Sequence, residues 1–140
     1  MKIITKNQVE TQALAKKLLA KLSGGMVLGL EGNLGAGKTT FTQGLAKALG
    51  IKANVTSPTF VLLKIYPAKH KTIKQLVHID AYRLTSGTDL EAVGWQDYLN
   101  KDSLVVVEWA DKVKAALPAK TKWLKFSLLP NEQHQIIFDF

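Results

Sequence analysis

Apolar residues recur along this chain with two different periods, and the points where the period changes mark out its elements. Residues 2–5 read as a short strand. Asn7 followed by Glu10 has the form of a helix cap, in which a side-chain oxygen takes an orphan backbone N–H. Leu14, Leu18 and Leu22 then share one stripe, with Lys16, Lys17 and Lys21 off it. That spacing predicts an amphipathic helix, closed by Ser23-Gly24-Gly25. Residues 26–31 form a short apolar run, a buried strand that leads straight into a glycine-rich segment. A helix is expected over 39–49, with Phe41, Leu45 and Ala48 on one face and Gly50 at its end. Strands are expected at 60–66 and 75–79, joined by the lysine-rich stretch 68–74. The segment 89–99 reads as helical, with a break at Gly94. Residues 104–107 are apolar without alternation, as in a strand covered on both faces. A short helix over 110–117 should stop at Pro118. Leu124, Phe126 and Leu128, then Ile136, Phe138 and Phe140, alternate with polar positions around a turn at Pro130-Asn131, which predicts a hairpin.

Strands alternating with helices and ending in an antiparallel pair predict an α/β domain with a mixed sheet. With 140 residues and no internal repeat or Pro/Gly/Ser-rich linker, residues 1–140 are expected to form one domain. The absence of cysteine rules out disulfides and thiolate metal sites. No stretch has the roughly 18 unbroken apolar residues of a membrane helix. The start, Met1-Lys2-Ile3-Ile4-Thr5-Lys6, lacks the apolar run of a secretion signal, so a cytoplasmic protein is expected. The net charge of +8 comes with a single arginine, Arg83. Such a balance suits either a polyanionic partner or a solvated lysine surface. The scarcity of arginine speaks against a dedicated nucleic-acid groove.

Gly32-Asn33-Leu34-Gly35-Ala36-Gly37-Lys38-Thr39 fits the phosphate-binding pattern G-x-x-x-x-G-K-[ST]. Glycines let the backbone wrap an anion with N–H groups pointing inward. The helix that follows adds the positive end of its dipole. Lys38 can reach the β- and γ-phosphates, and the Thr39 hydroxyl can ligate Mg²⁺. The loop also lies between an apolar strand and an amphipathic helix, the setting the motif requires.

A metal at Thr39 calls for a carboxylate at the end of a neighbouring strand. Two acids qualify: Glu108 directly follows residues 104–107, and Asp80 follows 76–79. His78 shares a face of its strand with Asp80 by alternation, and either belongs to the site or satisfies a local hydrogen bond. Arg83 either meets phosphate or a partner, or forms a surface ion pair. No N-K-x-D guanine motif is present: the nearest string, Asn100-Lys101-Asp102-Ser103, has its acid one position early. A small-molecule kinase would carry arginines on a lid, a feature this chain lacks. The reading that remains is a minimal ATPase whose output goes to another protein. A kinase, or a non-catalytic nucleotide-binding bridging module, stands as the alternative.

Four pieces together carry a further resemblance: the loop extended through Thr40-Phe41, Ser57-Pro58-Thr59-Phe60, His78-Ile79-Asp80-Ala81-Tyr82-Arg83-Leu84, and Val107-Glu108-Trp109. In order and spacing the chain resembles the bacterial TsaE family from Glu10 through about Leu117. That resemblance implies a P-loop NTPase-type three-layer α/β domain with a mixed, mainly parallel sheet and a C-terminal antiparallel hairpin. It implies ATP and Mg²⁺ as cofactors, the TsaD and TsaB proteins as partners, and tRNA reached indirectly through that complex. The activity implied is ATP hydrolysis that drives or resets threonylcarbamoyl modification of the adenosine beside the anticodon; with no residue standing out as a water activator plus arginine finger, hydrolysis is expected to be weak alone and stimulated by partners. By matching position, Gly35, Ala36, Gly37, Lys38, Thr39 and Thr40 would hold the phosphates. Thr39 and Glu108 would hold the metal, and Asp80 would act on the γ-phosphate side. Thr59 would sense the γ-phosphate, Trp109 would lie against the site or pack in the core, and Thr11 would sit near the adenine. No nucleotide contact is carried over onto the C-terminal end.

Overall fold

In the computed structural model, residues 1–57 and 62–140 are described. One seven-stranded sheet runs through the molecule in the order β1-β7-β6-β2-β5-β4-β3. The strands are β1 (Lys2–Thr5), β2 (Val27–Glu31), β3 (Leu63–Pro67), β4 (Gln75–Asp80), β5 (Ser103–Glu108), β6 (Lys122–Leu128) and β7 (His134–Phe138). The central four, β6-β2-β5-β4, are mutually parallel, while β3 and β7 run against them. The expected C-terminal hairpin is present as the antiparallel pair β6–β7, and β1 adds to its outer edge.

Two cores flank the sheet, as the unbroken apolar strands require. Along β5, Leu104 and Val106 point to the side of helices α1 (Gln8–Leu18) and α2 (Lys38–Ala48), where Leu14, Leu18, Phe41 and Leu45 cover them. Val105 and Val107 point the other way, under Leu90 of α3 (Gly87–Ala92), Trp95 and Val113. Burial on both faces makes a three-layer α/β fold.

Most of the predicted elements appear, with shifts at the ends. Asn7 caps α1 by accepting from the Glu10 N–H at 2.9 Å, and the Glu10 carboxylate accepts from the Lys6 N–H. The repeat of Leu14, Leu18 and Leu22 is buried throughout, although the α-helix itself gives way to a 3₁₀ turn, Leu19–Lys21. Gly94, at φ 76°, separates α3 from the 3₁₀ turn Trp95–Tyr98, so the segment is broken where expected. The short helix expected over 110–117 is present as Ala110–Ala116, in 3₁₀ form with a kink at Val113. The segment begins after Trp109, whose left-handed φ of 58° offsets its entry from helical geometry. On the hairpin, Leu124 and Phe126 reach the core, but Leu128 lies beyond the cover of the helices and is exposed. The strand expected over 60–66 is described from Leu63, and Phe60 lies outside the described residues. Among the described residues, no helix is long and apolar enough to cross a membrane.

Candidate nucleotide site

The loop between β2 and α2 sits at the carboxyl end of the central parallel strands, where open sheets of this kind hold ligands. Its glycines adopt backbones that other residues avoid. Gly32 has φ 146°, and a Cβ there would fall 2.4 Å from the Phe126 carbonyl oxygen of β6. Gly37, at φ 110°, is the N-cap of α2. The leading amides of α2 lack intrahelical acceptors and face the space outside the loop.

That space is a cavity of about 460 Å³. Gly35, Gly37, Lys38, Thr39, Thr40, Asp80, Glu108 and Trp109 all line it. Ala36, within the loop, is buried and does not line the cavity. Thr11 is buried in α1, does not line the cavity, and shares a hydrogen bond of 2.7 Å with Thr5. Arg83 is exposed and is not among the lining residues. Thr59 lies outside the described residues. Gln8, Leu34, Ser57, Tyr82 and His134 also line the cavity. His134 was not singled out by sequence: it comes from β7 to meet the Ala36 carbonyl oxygen at 2.9 Å. No local spacing marks that long-range contact.

The two acids end adjacent parallel strands in direct register, Asp80 beside Glu108, and both are buried. They are bonded differently. Thr39 Oγ1 donates to Glu108 Oε1 at 2.8 Å, and His78 Nε2 meets Glu108 Oε2 at 2.5 Å. Asp80 accepts from the Tyr82 N–H at 2.9 Å and from the Ser57 hydroxyl. The hydroxyl–carboxylate pair Thr39–Glu108 offers hard oxygen donors suited to Mg²⁺, which keeps water and phosphate in the rest of its shell. Among the described residues no group of three or more His, Cys, Asp or Glu forms a protein-only cage.

Lys38 is 5% exposed, donates to the carbonyl oxygens of Gly32 at 2.5 Å and Asn33 at 3.0 Å, and lies 4.2 Å from the centroid of the Trp109 ring. Burial holds its pKa below the 10.5 of a free lysine, and Glu108, Asp80 and Asp111 pull in the opposite direction. An ammonium kept short of water next to open loop amides is a strong attractor for an anion.

Fold and loop together define a three-layer α/β protein whose glycine-rich loop leads from the central strand β2 into α2. The family model described as threonylcarbamoyl adenosine biosynthesis protein TsaE matches residues 5–136. The tRNA threonylcarbamoyladenosine biosynthesis protein TsaE of Bacillus subtilis (strain 168) is 38% identical over 134 residues, covering 96% of this chain and 82% of that protein. The protein of the same description from Treponema pallidum (strain Nichols) is 34% identical over 136 residues, 97% and 98% of the two chains. The crystal structure of YdiB from Bacillus subtilis superposes with a TM-score of 0.80 at 35% identity, covering 99% of this chain and 83% of that one. The chain belongs to the TsaE family.

Proposed function

We propose that this chain binds ATP with Mg²⁺ in the cavity and hydrolyses it as a cytoplasmic accessory subunit. Its output would drive or reset a complex of the TsaB and TsaD proteins during threonylcarbamoyl modification of the adenosine next to the anticodon of tRNA. The arrangement of Thr39, Glu108 and Lys38 at the head of α2 carries this reading, because it brings an oxygen pair for a hard cation beside a buried ammonium. Family membership supports the biosynthetic setting.

In this reading the loop amides and Lys38 bind the β- and γ-phosphates. Thr39 and Glu108 hold the cation, which when bound would offset charge on the phosphate oxygens. Asp80, fixed through both carboxylate oxygens by Ser57 and Tyr82, stands on the γ-phosphate side and orients water. Trp109 excludes solvent beside Lys38. Lys38 is the only lysine or arginine among the described residues that line the cavity. Transition-state charge therefore meets few cations, and hydrolysis by the chain alone should be slow. ATP turnover should rise when TsaB and TsaD are added, with tRNA present or absent. Equal phosphate release with and without those proteins would count against the proposal.

A further inference from the structure

Glu108 enters the cavity from a strand end, and the terminal torsion of a glutamate is broad and two-fold. Its own backbone does not decide which way the carboxylate faces. Two donors decide it from opposite sides. Thr39 holds Oε1 from α2, and His78 Nε2 holds Oε2 at 2.5 Å. A carboxylate oxygen only accepts, so Nε2 carries the hydrogen. The register explains how the ring arrives there. His78 lies on β4 two residues before Asp80, and Asp80 is level with Glu108, so the imidazole sits one step beneath the carboxylate on the neighbouring strand.

The histidine is fully buried, and its Nδ1 has no hydrogen-bond partner among the described residues. An unpaired buried polar atom costs stability, and the one hydrogen bond this buried ring makes among the described residues is to Glu108. This ring is satisfied only at the atom that faces Glu108.

We infer that His78 is a positioning residue: it fixes Glu108 from below so that Oε1, beside the Thr39 hydroxyl, is presented to the cation. The inference rests on the magnesium–ATP reading above. Groups that orient a metal ligand commonly contribute 10- to 100-fold in metal affinity.

The test is a Mg²⁺ titration of binding by a fluorescent ATP analogue to the parent, His78→Leu and His78→Gln. Leucine removes the N–H, whereas the glutamine amide extends about as far from Cβ as Nε2. The Mg²⁺ midpoint should rise about 10- to 100-fold in His78→Leu, return most of the way in His78→Gln, and leave nucleotide affinity in EDTA unchanged. A ¹⁵N spectrum of the metal-free parent should show a hydrogen on His78 Nε2. Equal midpoints for parent and a folded His78→Leu, or an Nε2 without hydrogen, would overturn the assignment while leaving nucleotide binding intact. If His78→Leu fails to fold, His78→Asn, whose amide is too short, takes its place against His78→Gln, and equal midpoints there overturn it as well. A parent that binds nucleotide without any Mg²⁺ dependence would instead bring down the magnesium reading and this inference with it.

Discussion

Replacing Lys38 with methionine is expected to cut kcat/KM for ATP hydrolysis by about 10²- to 10³-fold, the usual loss when one preorganised donor to a developing charge is removed. The same change should leave the metal-free chain within about 1 kcal/mol of the parent in stability, because two effects of comparable size oppose each other. The variant loses the hydrogen bonds from Lys38 to the Gly32 and Asn33 carbonyls, but it is also relieved of a buried charge. Methionine fills nearly the same volume, so no large cavity opens.

The pH dependence gives this prediction a sign. In the folded chain the pKa of Lys38 lies below the 10.5 it has when exposed, chiefly through burial. Between those two values the unfolded chain binds the extra proton, so stability rises with pH across that window. Below the lowered pKa both states are protonated and the contribution is flat. Denaturant midpoints should therefore show the parent gaining on Lys38→Met as pH approaches 10.5. Parallel curves for the two proteins would refute the account of the buried ammonium, and undiminished phosphate release would refute its role.

Trp95→Ala is expected to cost about 3–5 kcal/mol, the range for emptying a large buried aromatic site. Trp95 is 1% exposed and belongs to the core on the α3 side, with Ile79, Val105 and Val107. For a domain of this length, at roughly 0.05–0.15 kcal/mol per residue, that loss is a sizeable share of the total. Thermal unfolding should drop by roughly 10 °C or more. Trp95→Phe should be far milder, since the indole N–H it removes has no partner among the described residues. An alanine variant as stable as the parent would mean that the second core contributes little. Ile79 and Val107 directly precede the two cavity acids in sequence, so this layer also keeps the strand ends in place.

Much of the site was legible in residue order alone. The loop announces itself because wrapping an anion demands glycines, a lysine and a hydroxyl at fixed offsets, and short-range offsets survive in one dimension. Asp80 and Glu108 could be chosen because each ends an apolar run, and an acid there faces the open end of a buried strand. Their different bonding could not. Thr39 bonds Glu108 and not Asp80 because β5, rather than β4, lies next to the strand that feeds the loop. Strand order is set by packing over the whole chain, and no local period encodes it.

Periodicity predicted helical turns after Trp109, and they are present; their 3₁₀ form, with a left-handed backbone at Trp109 and a kink at Val113, was not legible in it. His134 reaches the Ala36 carbonyl only because β7 closes back against β6. The elements, the loop and the candidate acids were thus determined by the sequence itself, through spacings of a few residues. Which acid meets the hydroxyl, which histidine braces it and which side chains wall the cavity were decided only by tertiary structure, since those contacts join segments that adjoin only after the sheet has formed.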